Sequence, residues 1–173
     1  MSQAVICLVS TEAEANSIVV ELQELGFTPD QISALLPSKN ISKDMGHEKH
    51  SKAPEGTATG AGAGALVGGA LGLLAGIGVL AIPGAGPFIA AGPIMAFLSG
   101  AAVGTTLGGI TGGLIGLGIP EYEAKQYEGK IRDGNILLSV SVDDRDEAKQ
   151  VEEVYKENGA HDIKRTTEEK VKR

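Results

Sequence analysis

Between Gly56 and Pro120 the chain runs for 65 residues without one Asp, Glu, Lys, Arg or His, and this stretch constrains the fold more than any other feature. It holds 20 of the 25 glycines in a chain of 173 residues. Gly60, Gly64, Gly68, Gly72 and Gly76 follow one another four apart, and after a proline-rich break so do Gly100, Gly104, Gly108, Gly112 and Gly116. Residues at that interval stack along one side of an α-helix, so each series predicts a smooth strip that another backbone can approach closely. The expectation is a hairpin of two glycine-zipped helices, Ala58 to Ile82 and Ile94 to Gly118, with these ten glycines as its helix-packing positions.

Each of those helices would carry eight glycines in 25 residues. Gly costs about 1 kcal/mol against Ala in a helix interior, so neither is expected to form alone in water. Lipid would force the helix by offering the backbone no other partner; a dry interior shared by several chains would stabilise it by packing. Each helix would be roughly 37 Å long against about 30 Å of hydrocarbon, enough for one crossing. Leu66, Val67, Leu71, Leu73, Leu74, Ile77, Val79, Leu80 and Ile82 fill the spaces between glycines, which speaks against a flexible polar linker. No Gly-Lys-Ser/Thr follows the glycines and no strand precedes them, so the phosphate-loop and dinucleotide patterns fail. Pro83, Pro87 and Pro93 break the run. The uncharged reversal they mark reads as a hairpin tip deep in lipid, with Phe88 to Ala91 as a short helical turn.

The flanks read differently. Ala4 to Val9 is an apolar, β-branched run, the pattern of a central strand. Thr11 and Glu14 form a capping box, and Ala15, Ile18, Val19, Leu22 and Leu25 follow at helical spacing before Gly26 ends the helix. Ile32 to Leu36 is a second, weaker strand. After the glycines, Pro120 is expected at the first position of a helix whose Ala124, Tyr127 and Ile131 share a face, with Tyr122 and Tyr127 near a membrane surface. Asp133-Gly134-Asn135 closes it. Asn135 to Val142 alternates as a half-buried strand. Asp144 and Glu147 open a helix with Ala148, Val151, Val154 and Tyr155 on its apolar face, Gly159 ends it, and Ile163 to Thr167 is a polar final strand. The ends thus repeat strand, capped helix, Gly, strand. Two such units make an α+β, ferredoxin-like βαβ-βαβ domain with the first strand of each central and the second at an edge. The division is residues 1–37 for the first half, 38–56 for a polar linker, 57–119 for the hairpin and 120–173 for a helix plus the second half.

Candidate chemistry is sparse. His47, Glu48 and His50 lie in the polar linker, where two His three apart without further soft ligands make a poor metal cage. Cys7 falls in a strand expected to be buried, where a thiol behaves as a small hydrophobe, and as a lone Cys it forms no internal disulfide. Ser10, Ser33, Ser139 and Ser141 have no base partner recognisable in the sequence. No catalytic residue, metal site or cofactor is therefore expected, and no small-molecule substrate is identified. A net charge of −7 and a pI near 5.0 oppose nucleic-acid binding. The first residues lack a positive region followed by an apolar run, so no cleaved signal is expected. Lys39, Lys43, Lys49 and Lys52 beside the glycine segment fit a cytoplasmic side.

Three segments carry a resemblance: ICLVSTEAEANSIVVELQELGFTPDQISAL, GAGAGALVGGALGLLAG and IPEYEAKQYEGKIRDGNILLSV. Through them nearly the whole chain resembles the bacterial general stress and low-temperature-induced proteins. That resemblance implies stress-induced expression and membrane association, and it defines no catalytic residue. The combined expectation is a non-enzymatic protein of the bacterial inner membrane, its hairpin inserted in or packed on lipid and its cytoplasmic domain mediating self-association or partner binding. The alternative is a cytoplasmic homo-oligomer whose hairpins pack into a shared core.

Overall fold

The structure is a computed structural model that describes residues 3–37, 78–82, 86–92, 94, 110–116 and 118–167. Six strands, β1 (Gln3–Val9), β2 (Ile32–Pro37), β3 (Gly78–Ile82), β4 (Gly86–Ala91), β5 (Ile136–Val142) and β6 (His161–Thr167), form one antiparallel sheet. Their order is β3-β4-β2-β5-β1-β6. The described helices are α1 (Glu12–Glu24), α2 (Ile110–Gly116), α3 (Glu121–Arg132) and α4 (Arg145–Glu157). The fold class is α+β.

The local signals at the two ends operate as the sequence indicates. Thr11 Oγ1 accepts from the Glu14 N–H, and Glu14 returns a carboxylate oxygen to the N–H groups of Ser10 and Thr11, which satisfies donors that the first turn of α1 leaves open. Asp144 does the same for α4 by accepting from Asp146 and Glu147. Gly26, Gly134 and Gly159 take positive φ just past α1, α3 and α4, the left-handed conformation that lets the chain leave a helix at little cost. Pro120 is the N-cap of α3, one position before the expected one.

Both sheet faces are covered. On one, α1 and α4 supply Ala15, Ile18, Val19, Leu22, Ala148, Val151, Val154 and Tyr155 against Val5, Cys7, Val9, Ile136, Leu138 and Val140. On the other, Ile6, Leu8, Leu35 and Leu137 meet Ala124, Tyr127 and Ile131 of α3 and Ile110 and Leu114 of α2. Hence β5 is buried on both faces and not on one as its alternation suggested: its odd member Leu137 has a second layer to enter. Tyr127, expected near a membrane surface, is inside this second layer, while Tyr122 is 74% exposed.

The glycine-rich stretch departs from the helical expectation where it is described. Gly78–Ile82, assigned above to the end of the first helix, and Gly86–Ala91, assigned to the hairpin tip, are paired strands. The tip is thus a β-hairpin laid on the sheet. Val79, Ile82, Phe88 and Ile89 favour strand. In turn β2, expected at an edge, is an internal strand between β4 and β5. The polar β6 is an edge, as expected.

Candidate functional site

The feature left to explain is how the uncharged stretch is attached to the sheet. Of the ten packing glycines, Gly60, Gly64, Gly68, Gly72, Gly76, Gly100, Gly104 and Gly108 lie outside the described residues. Gly112 and Gly116 fall in the seven-residue helix α2. The side of α2 turned to the core runs through Ile110, Gly113 and Leu114; Gly112 and Gly116 are half-buried beside it.

Three attachments hold the stretch. The first is the β3–β4 hairpin, joined to β2 through Ala34–Ala91, Leu35–Ala90, Leu36–Ile89 and Pro37–Phe88. The second is the chain leaving β4. Gly92, at φ +80°, passes so close to β2 that a Cβ would sit 2.1 Å from the Ile32 carbonyl oxygen. Two residues later the Ile94 N–H donates to the buried Ser33 Oγ at 3.2 Å. The third is α2. Three glycines in seven residues make it a poor helix by itself, at about 1 kcal/mol each. It is held by the burial of Ile110 and Leu114 and by Glu128 of α3, whose carboxylate accepts from both the backbone N–H and the hydroxyl of Thr111. Arg132 pairs with the other oxygen of that carboxylate.

Charge is divided between the layers. α1 carries Glu12, Glu14, Glu21 and Glu24 with no cation, and from Asp143 to Glu157 seven carboxylates stand against three cations, which gives these two segments a formal −8 in a chain whose total is −7; Arg165 of β6 reaches this layer through Glu152. On α3 the balance is nearly even, and its cations are engaged: Lys125 with Glu121 and Lys130 with Asp162, while Glu123 reaches Lys164 of β6.

Three of the described groups able to do chemistry, Cys7, Tyr155 and Tyr127, are buried. Burial pushes the Cys7 thiol well above its ordinary range, and also the phenols of Tyr155 and Tyr127, so all three stay protonated at neutral pH. Each phenol donates to a backbone carbonyl, Tyr155 to Val5 and Tyr127 to Asp162. Ser33 and Ser139 face one another in register beneath the second layer, and neither has a His nearby in the pairing. Among the described residues no group of three or more His, Cys, Asp or Glu could hold a metal ion. A cavity of about 300 Å³ opens at one end of the sheet between Ser10, Thr11, Glu12, Leu36, Pro37, Gly134 and Ile136. It offers hydroxyls and a carboxylate without a convergent base.

The sequence pointed to the glycines as the site but gave no sign of Glu128, whose carboxylate looks like one more charge on a solvated helix until Thr111 is seen beside it. Compared with family models, with curated proteins and with solved structures, the chain finds no match.

Proposed function

We propose that this is a non-enzymatic stress-response protein that works by association. In this reading a ferredoxin-like unit built from β1-α1-β2 and β5-α4-β6 carries the uncharged stretch on its second face. That stretch packs on lipid at the cytoplasmic face of the bacterial inner membrane. The observation that carries the reading is the stretch itself, 65 uncharged residues attached to a sheet that already has a complete helical layer on its opposite face. The ferredoxin-like assignment draws on the order β2-β5-β1-β6 among the four flanking strands, in which the two βαβ units interleave with their first strands central.

For the second half of the stretch, packing on lipid is preferred to spanning it because of where that half is tied down. Among the described residues no helix is long and apolar enough to cross a membrane. Ile94 and Ile110 are buried in one cluster with only residues 95–109 between them. At about 3.4 Å per residue, a link that must leave and return reaches roughly 27 Å even when fully extended, short of the ~30 Å hydrocarbon layer. The nearly balanced α2/α3 side would face the membrane and the acidic α1/α4 side would face away, since anionic headgroups repel carboxylates.

Flotation with phosphatidylcholine/phosphatidylglycerol vesicles tests this. Apolar packing predicts that the full chain floats with the vesicles and stays bound in high salt. A chain that remains at the bottom of the gradient overturns the proposal. The second reading, a lipid-free homo-oligomer, draws on Gly112 and Gly116, which lie beside the packed side of α2 and not within it.

A further inference from the structure

Helices α1, α3 and α4 each close on a cap residue followed by a glycine at positive φ, and the cap differs: Leu25, Asp133 and Asn158. Of Asn16, Asn40, Asn135 and Asn158, only Asn158 precedes a glycine. Gly159 has no side chain to shield its peptide nitrogen, so at this position an Asn amide is most open to attack by its own backbone. Gly159 is exposed and Asn158 half-buried, so water reaches both. The fold opposes the attack in two ways. Asn158 Nδ2 donates at 2.8 Å to Glu21 Oε2 of α1 and at 2.8 Å to the Val154 carbonyl; both partners only accept, which fixes the amide nitrogen toward them. The Gly159 N–H donates to the Lys156 carbonyl at 3.2 Å. At ψ 12° Asn158 also turns that nitrogen away from its own Cβ, whereas ring closure needs the two eclipsed.

We infer that Asn158 is a site of self-modification that the folded state holds closed. When the end of α4 opens, the Gly159 nitrogen bonds to Asn158 Cγ, the Cγ–Nδ2 bond breaks, and the amide leaves as ammonia with the proton that the nitrogen gives up. Water then opens the resulting succinimide ring at either carbonyl, to aspartate or to isoaspartate. The sum is amide plus water to carboxylic acid plus ammonia. Either product conflicts with the site. Aspartate puts a second carboxylate where Glu21 Oε2 now accepts, and like charges so close repel. It also faces the Val154 carbonyl at the negative end of α4. Isoaspartate lengthens the backbone between the Asn158 N–H, which donates to Val154, and the Ala160 N–H, which donates to Tyr155. The modified chain rebuilds the α1–α4 contact less well, and the change is a lasting record that the molecule has opened. The inference rests on neither lipid binding nor self-association.

The experiment follows the amide-to-acid mass change at Asn158 by peptide mapping of the full chain, incubated folded and in urea. Conversion is expected to be at least about tenfold faster in urea, because a capped helix end opens only a fraction of the time. Glu21→Ala, which removes the acceptor on α1, is expected to speed conversion in the folded chain and not in urea. Asn158→Asp is expected to lower the urea midpoint, and to lower it less beside Glu21→Gln, where the like charge is gone. The rate measurements decide the matter if Asn158→Asp does not fold. Equal rates folded and in urea, no conversion in urea, a folded Glu21→Ala chain that converts at the wild-type rate, or an Asn158→Asp loss that Glu21→Gln does not reduce overturns the inference.

Discussion

Gly92 lies against the backbone of Ile32 so closely that a Cβ built on it would fall 2.1 Å from the Ile32 carbonyl oxygen and 2.9 Å from the Ser33 Cα. Both neighbours are backbone, so no side chain can swing aside. At φ +80° the position is also strained for any residue with a Cβ. Gly92→Ala is therefore expected to cost about 3 kcal/mol or more, at the severe end for a single substitution. Equilibrium urea unfolding measures it, and a loss within experimental error would remove the crossing over β2.

Glu128 provides a milder test of the same attachment. Glu128→Ala removes the acceptor for the Thr111 N–H and hydroxyl and should destabilise by roughly 1–3 kcal/mol. The effect should be local, with amide exchange accelerating over 110–116 while α1 keeps its protection. Uniform acceleration would show that the carboxylate does not hold α2 in particular.

Much of the fold could be read from the chain ends because their signals are local. Thr11 with Glu14, Asp144, Gly26 and Gly159 set boundaries through bonds a few residues long. What could not be read depends on partners distant in sequence. The glycine spacing at Gly76 to Ile82 suits a helix, but Val79, Leu80 and Ile82 also suit a strand once β4 is there to pair with. Propensity alone cannot choose between them, and tertiary pairing decides. Leu137 likewise looked like an outward residue of a half-buried strand until α2 and α3 formed the second layer. Glu128 was invisible as a site for the same reason: Thr111 is 17 residues away.

Cys7 and Tyr155 share the first core, and their protonation links stability to alkaline pH. Burial raises the thiol above its ordinary value, so the folded state holds its proton more tightly than the unfolded chain. The sign follows from linkage: this stability is fully present below about pH 8.5, where an unfolded thiol ionises, and is lost progressively as pH rises above it. The urea midpoint should fall from pH 8 to pH 10 in the wild type and fall less in Cys7→Ala. Labelling of Cys7 by a thiol reagent at pH 8 should require unfolding.

Glu152 gives the opposite dependence at low pH. Its hydrogen bonds with Arg165 hold the carboxyl below its ordinary range. That contribution is present above the ordinary carboxyl pKa of about 4.3 and disappears as pH falls through the depressed value. The pair lies largely at the surface, so Glu152→Gln should move the urea midpoint only slightly at pH 7 and flatten the acid limb of the stability curve. A mutant whose acid limb matches the wild type would mean that the contact contributes nothing in solution.

Because α1 and residues 143–157 carry 11 of the 22 carboxylates against three cations, charge is unevenly placed among the described residues. Beside any negatively charged surface this unevenness produces a torque that turns those segments outward before contact is made. Approach is thereby biased toward one orientation, and raising the ionic strength should erode that bias while leaving the apolar contacts that follow intact.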